Sequence, residues 1–199
     1  MTKKLLMGNE AFAHAALEAG VRVVAGYPGT PSSEVTETVA KLHASGAAQG
    51  VHVEWSTNEK SALELLAGAS YCGARTLFTC KQVGLNVASD PLMSLNYVGV
   101  KGGTVLFVAD DPGPISSQTE QDTRRFGNFA KVPVLDPATA EHISAVKNLI
   151  MGEVNVKEVE LIEKTTGLIT KRIKPNFKTL GPRYGKYMKQ IAAMTAEFS

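Results

Sequence analysis

Proton-transfer chemistry needs an acid or base held where water does not dominate, and one acid in this chain has such a setting. Glu59 follows Ser56-Thr57-Asn58 and stands on the first turn of a segment whose apolar residues Ala62, Leu65, Leu66 and Ala69 fall at i, i+3, i+4 and i+7. Asn58 or Thr57 caps that helix and Gly73 stops it. Leu63 and Ala67 lie off the stripe, so the helix reads as apolar nearly all round, and therefore as buried. A common role competes for Glu59: acids on first turns offset the helix dipole and orphan amides, and position alone favours that role. Two other stretches hold groups that could meet a ligand. Tyr27-Pro28-Gly29-Thr30-Pro31-Ser32-Ser33 is a rigid turn rich in hydroxyls, and residues 81–86 read as a polar loop carrying Gly84 and Asn86 behind an apolar strand at 76–80.

Other chemistries find less support. His14, His43, His52 and His142 have no ligand spacing with cysteines or acids, so no protein-bound metal is expected. Cys72 and Cys80 are isolated in helix and strand patterns and read as buried, reduced thiols of a cytoplasmic protein. Neither a Gly-x-Gly-x-x-Gly nor a Walker pattern is present, which leaves nucleotide binding by those devices unsupported. A chain of 199 residues, 44% hydrophobic with a formal charge of +2, is ordinary globular material with room for one good core and an appendage. No membrane span stands out, and Met1-Thr2-Lys3-Lys4 runs into a folded-looking segment without a basic-then-apolar leader.

The elements that must position these groups alternate. Residues 9–19 form a helix with Gly20 past its end, and residues 21–26 a short buried strand. Ser32 or Ser33 caps a helix running to about Ala44, and residues 51–55 are the next strand. After the central helix come the strand at Thr76, a helix over 87–97 interrupted by Pro91, and a strand over 104–109. The pattern predicts an α/β fold, a doubly wound and mostly parallel sheet with helices on both faces. Loops 27–33, 56–59, 81–86 and 110–121 then share the edge where such sheets bind ligands. Any one of them is by default a solvated connection; four at one edge point to a site.

Asn58-Glu59, Gly68, Tyr71, Gly73-Ala74-Arg75, the strand and the Gly84-x-Asn86 segment resemble the pyrimidine-binding domain of thiamine-diphosphate enzymes. With Tyr27-Pro28-Gly29-Thr30-Pro31-Ser32-Ser33, Lys81-Gln82-Val83-Gly84-Leu85-Asn86, Asp110-Asp111-Pro112-Gly113, Ser116-Ser117-Gln118 and Glu120-Gln121-Asp122, the likeness narrows to the 2-oxoacid:ferredoxin oxidoreductases. It is nearest the amino-terminal domain of the indolepyruvate enzyme's alpha subunit and covers about residues 3–141. The resemblance implies that Glu59 is catalytic, hydrogen-bonding N1′ of the cofactor's aminopyrimidine so that the ring's imino form can remove the thiazolium C2 proton. It also implies that Gly84 and Asn86 contact the cofactor and that the Thr30 hydroxyl lies by the substrate carboxylate. The reaction implied is oxidative decarboxylation of an arylpyruvate by coenzyme A, with electrons passing through iron-sulfur clusters to ferredoxin. In that family the diphosphate is held through Mg²⁺ by a second domain bearing Gly-Asp-Gly, which does not occur here, and no cysteine run could ligate a cluster. The expectation is a homo- or hetero-oligomer in which another domain or chain supplies that half, this chain alone being inactive.

Past Asp136-Pro137 the character changes. Residues 138–151 read as a helix, 154–163 and 168–174 as strands of a hairpin around Lys164-Thr165-Thr166-Gly167, and 174–186 as a basic loop. A final helix puts Tyr184, Tyr187, Met188 and Ile191 on one face, as core, and Lys186 and Lys189 on another, solvated face. Residues 1–141 hold 11 Lys and Arg against 14 Asp and Glu, net −3, whereas 142–199 hold 10 against 5, net +5. That change of sign predicts two units, 1–141 and a small α+β appendage at 142–199. Val154-Asn155-Val156-Lys157-Glu158-Val159 and the run from Lys174 to Lys186 resemble the carboxyl terminus of bacterial isoleucyl-tRNA synthetase over about Ile143 to Ser199. The synthetase's catalytic signatures do not occur, so no aminoacylation is expected. The chain therefore reads as two unrelated fragments joined near Glu141 to Ile143, a join made in assembling the sequence being preferred to a natural fusion because both parts are truncated. A tRNA-binding synthetase fragment is the alternative, with weak non-specific RNA binding by the basic tail.

Overall fold

The structure is a computed structural model that describes residues 5–111, 113 and 119–137. Four short runs of β-branched and small apolar residues pair as a wholly parallel sheet: β1 (Val23–Gly26), β2 (His52–Trp55), β3 (Thr76–Lys81) and β4 (Thr104–Ala109). Their order is β2-β1-β3-β4. Side chains alternate between the two faces of a strand, and here the alternation sorts the core into two layers. Val24, Leu77, Val105 and Phe107 turn to a layer with α1 (Gly8–Glu18) and α2 (Ser33–Ala44), while Ala25, Phe78, Cys80 and Leu106 turn to the other. That second layer holds α3 (Glu59–Tyr71), α4 (Gln82–Val87), α5 (Ser89–Val98) and α6 (Arg124–Ala130). A sheet covered on both faces needs apolar residues at nearly every strand position, and five of the six β3 residues are buried. The doubly wound α/β fold expected from the alternation is the one observed.

Five local expectations need correction, the first being that of a buried Cys72 thiol, since Cys72 follows α3 and is exposed. The helix after Asn58 is not buried all round: Glu59, Ala62, Leu63, Leu66, Ala67 and Ser70 face inward, and Lys60, Glu64, Gly68 and Tyr71 form an exposed stripe. Residues 82–87, read as loop, are helix α4, because Gly84 serves there as a residue without bulk against α3 rather than as a breaker. Pro91 does not interrupt its helix, since it lies in the first turn of α5, where an amide has no partner within the helix to lose. The break falls at Ala88 instead, which ends α4 and begins α5. Ser32 does not cap α2 through its side chain; its hydroxyl donates back to the Gly29 carbonyl at 2.7 Å. Helix α6 had no local signal, and its start is held from a distance by Asp110, which accepts from the Thr123 amide at 2.9 Å and the Thr123 hydroxyl at 2.6 Å.

The expected turn at 27–33, the cap of α3 by Asn58 and the stop near Gly73 are all seen. Asn58 Oδ1 accepts from the Ser61 amide at 2.9 Å, and Gly73 takes a φ of 93°, in the left-handed region that ends helices. Among the described residues no helix is long and apolar enough to cross a membrane. The expectations for Pro112, for Ser116-Ser117-Gln118, and for the helix, hairpin and basic face of 138–199 lie outside the described residues.

Because both core layers close among residues 5–137, a chain ending at Pro137 is expected to fold with a cooperative urea transition followed by circular dichroism. Leu66→Ala in that chain, which empties a fully buried site, is expected to lower its stability by about 2–5 kcal/mol.

Candidate functional site

In a parallel sheet the chain leaves every strand at one edge, and a cleft opens where successive connections run to opposite sides. Here β1 is followed by β2 on one side and paired with β3 on the other, so the cleft lies between the ends of β1 and β3. Gly26 and Thr79 are opposite each other in that pair. A Cβ on Gly26 would lie 2.5 Å from the Thr79 carbonyl oxygen, and it would strike the Thr79 hydroxyl as well. That hydroxyl shares a buried 2.7 Å hydrogen bond with the Thr36 hydroxyl of α2, tying the floor of the cleft to the helix above it.

Two of the sequence-derived site residues meet on the α3 side. Glu59 begins α3, is 8% exposed, and directs its carboxylate at α4. A Cβ on Gly84 would sit 2.5 Å from Glu59 Oε1, 2.9 Å from Glu59 Cγ and 3.0 Å from the Cys80 Cβ. The lack of a side chain at 84 is what leaves room for the acid. Among the described residues no donor reaches the Glu59 carboxylate, and although the residue is buried its oxygens are not sealed from the surface, which leaves them open to a ligand's donor. Cys80 lies beneath. Burial, then the nearby Glu59 and Asp110 charges, push its thiol well above the ordinary range and keep it protonated.

Thr30 stands elsewhere, on the α2 side. The Gly29 amide donates to Ser33 Oγ at 2.9 Å, the Ser32 amide and hydroxyl both donate to the Gly29 carbonyl, and Asn9 Nδ2 donates to the Pro31 carbonyl at 2.8 Å. The Thr30-Pro31 peptide is cis. These bonds fix the turn and leave the exposed Thr30 hydroxyl without a partner among the described residues. Asn86 also lies apart from Glu59. It is exposed, and its amide is engaged twice by Gln121, donating at 2.8 Å and accepting at 2.9 Å.

Gln82 was not singled out in the sequence. It is wholly buried; its Nε2 donates to the Thr119 carbonyl at 2.9 Å, its backbone carbonyl accepts from Gln121 at 3.4 Å, and its Oε1 has no partner among the described residues. Gln82 and Asn86 are spaced i, i+4, a signal readable only once the segment is known to be helical. Together with Gln121 they lash the segment after β4 to α4. Among the described residues no group of three or more His, Cys, Asp or Glu is placed to hold a metal ion.

A family model described as "Pyruvate flavodoxin/ferredoxin oxidoreductase, thiamine diP-bdg" matches residues 14–95, a range that takes in the Thr30 turn, Glu59 and Gly84. The chain is 51% identical over 137 residues to the indolepyruvate oxidoreductase subunit IorA of Pyrococcus abyssi, covering 69% of this chain and 21% of the relative. It is 50% identical over 68 residues to the isoleucine–tRNA ligase of Bacteroides fragilis, covering 34% of this chain and 6% of that enzyme. A solved 2-oxoglutarate:ferredoxin oxidoreductase from Magnetococcus marinus aligns with a TM-score of 0.48 at 23% identity, covering 59% of this chain and 20% of that one. The chain thus spans about a fifth of the length of the oxidoreductase subunit it matches. Similarity to the thiamine-diphosphate-binding part of such oxidoreductases, expected from the motifs, is borne out; the synthetase likeness extends over the shorter stretch.

Gly84→Ala drives a methyl group into Glu59 and Cys80 and is expected to cost about 1–3 kcal/mol in urea unfolding, the usual scale for overpacking. The same substitution should expose Cys80 to a thiol reagent that, in the unsubstituted native protein, modifies the exposed Cys72 far faster.

Proposed function

We propose that residues 1–141 are the pyrimidine-binding domain of an indolepyruvate-type 2-oxoacid:ferredoxin oxidoreductase alpha subunit, and that Glu59 is its cofactor-activating acid. The observation that carries this reading is the largely buried Glu59, whose carboxylate lies against Gly84 with no protein donor among the described residues, at the binding edge of the sheet. The matches to a thiamine-diphosphate-binding family and to indolepyruvate oxidoreductase subunits support it. The described residues suit the aminopyrimidine half of thiamine diphosphate: a carboxyl group without a protein donor, given its room by the bare Gly84, and apolar residues of α3 and β3 in the same layer. When bound, that cofactor supplies a thiazolium carbon acid able to add to a 2-oxo group. The chain's own part is to hold a proton between Glu59 and the pyrimidine N1′, to keep water from that contact with Leu63, Leu85 and Phe78, and to offer the Thr30 hydroxyl to the substrate. Gly84 shapes the contact with the cofactor, and Asn86 would contact it on release from Gln121. The diphosphate with its Mg²⁺, the iron-sulfur clusters and the docking of ferredoxin belong to a second domain or chain, so this chain by itself is inactive.

In the assembled oxidoreductase, Glu59→Gln is expected to slow hydrogen exchange at C2 of the bound cofactor by about 10²-fold or more, the scale of general acid–base catalysis. Exchange at the unsubstituted rate would return Glu59 to a purely structural role at the helix terminus.

A second reading covers residues 142–199 and is favoured by the 68-residue match to isoleucine–tRNA ligase. Their net charge of +5, with Lys171, Arg172, Lys174, Lys178, Arg183, Lys186 and Lys189 close in sequence, is enough to attract phosphates without reading bases. Isoleucine tRNA and an unrelated tRNA are expected to bind alike, with dissociation constants of order 10⁻⁴ to 10⁻⁶ M that weaken steeply as salt is raised. A preference for isoleucine tRNA that survives high salt would instead mark a tail retaining a recognition role.

A further inference from the structure

Thr30 offers a substrate a hydroxyl but no counter-charge, and a 2-oxo acid brings a carboxylate that a charge-assisted donor must meet when it leaves water. At the carboxyl edge of the sheet, Lys60 is already paired with Asp90 at 2.7 Å, and Arg124 with Asp122 at 2.8 Å and Asp136 at 3.2 Å. Lys81, the last residue of β3, has no ion pair among the described residues. Its direction follows from the strand. Leu77 packs in the α2 layer, Thr79 bonds to Thr36 of α2, and Lys81, two residues further on, lies on the same face.

That face holds the Thr30 turn. A Cβ on Gly29 would meet Lys81 Cγ and Cδ at 3.2 Å each and Cε at 3.6 Å, so the lysine stem lies along Gly29, one residue before Thr30, and the absence of a side chain there makes the passage. The stem is thereby half-buried, and a lysine held along its length delivers its ammonium with less freedom to lose. Trp55, which is 40% exposed, ends β2 on this same face because Val53 packs in the α2 layer. The face therefore sets an exposed aromatic ring two strands away from a cation.

We propose that Lys81 is the cation that anchors the carboxylate of an arylpyruvate beside the Thr30 hydroxyl, on the opposite face of the sheet edge from Glu59. This rests on the 2-oxo acid reading of the site. It adds a specificity-determining residue: Lys81 selects the acid by its charge, Thr30 orients it, and Glu59 serves the cofactor.

The test is titration of the isotope-labelled 199-residue chain with indolepyruvate, its methyl ester and inorganic phosphate, followed by amide and lysine side-chain resonances. Indolepyruvate is expected to shift Gly29, Thr30 and Lys81, and the ester to leave them unmoved. Lys81→Met should weaken binding of the acid by at least about tenfold and Lys81→Arg by less, as expected for a charge-assisted contact. The proposal is overturned if Lys81→Met binds the acid as tightly as the unsubstituted chain, if acid and ester bind alike, or if the acid moves none of these resonances. Phosphate perturbing the same residues more tightly than the acid would also overturn it, by assigning the cation to a phosphate-bearing ligand. None of these outcomes depends on C2 exchange at Glu59, so failure of the cofactor reading would appear separately.

Discussion

The pairing of β1 with β3 is the constraint on which the site depends. β1 has four residues, lies between two neighbours, and ends in Gly26 pressed against Thr79. Any side chain at 26 would push the two strand ends apart and break the register that aligns them. The Thr36–Thr79 hydroxyl bond would go with it, since its buried oxygens have no water to replace the partner. With the strands in contact, the chain leaving Gly26 runs toward α2 and the chain leaving Lys81 runs into α4, and the cleft is the space between them.

That divergence keeps two groups of residues of different character apart. Glu59 and Cys80 lie on the α3 side among apolar residues, and Thr30 and Lys81 lie on the α2 side among hydroxyls. An ammonium beside Glu59 would form an ion pair with it and leave neither group free for a ligand. With the sheet edge between them, the acid stays in a poorly solvated place and the cation meets the more polar side. Glycines enforce the arrangement by being small: Gly84 makes room for a carboxylate and Gly29 for a lysine stem.

The α4 helix is short, six residues, and a helix of that length does not hold itself. Contacts distant in sequence hold it. Gln121 bonds to both Gln82 and Asn86, Gln82 reaches Thr119, and Asp110 fixes Thr123 at the start of α6. The position of Gly84 over Glu59 thus depends on residues some 35 further along the chain. Gln82 Oε1 has no partner among the described residues, so this lashing leaves one buried acceptor unsatisfied.

How much of this was legible beforehand divides along local and non-local physics. The alternating strands, the Asn58 cap, the turn at Thr30 and the candidacy of Glu59 rest on periodicities and residue types within a few positions, and those are set by the chain itself. The motif resemblance added what composition could not, a reason to weigh Glu59 above an ordinary first-turn acid. Local signals misread Gly84 and Pro91, because a glycine can be required for its lack of bulk and a proline is harmless where no amide partner exists. Helix α6, the Gln82–Asn86–Gln121 network and the side of the sheet on which Lys81 falls were decided by the tertiary structure alone. Each depends on which strands become neighbours, and that is set by the collective burial of two core layers rather than by any window of sequence.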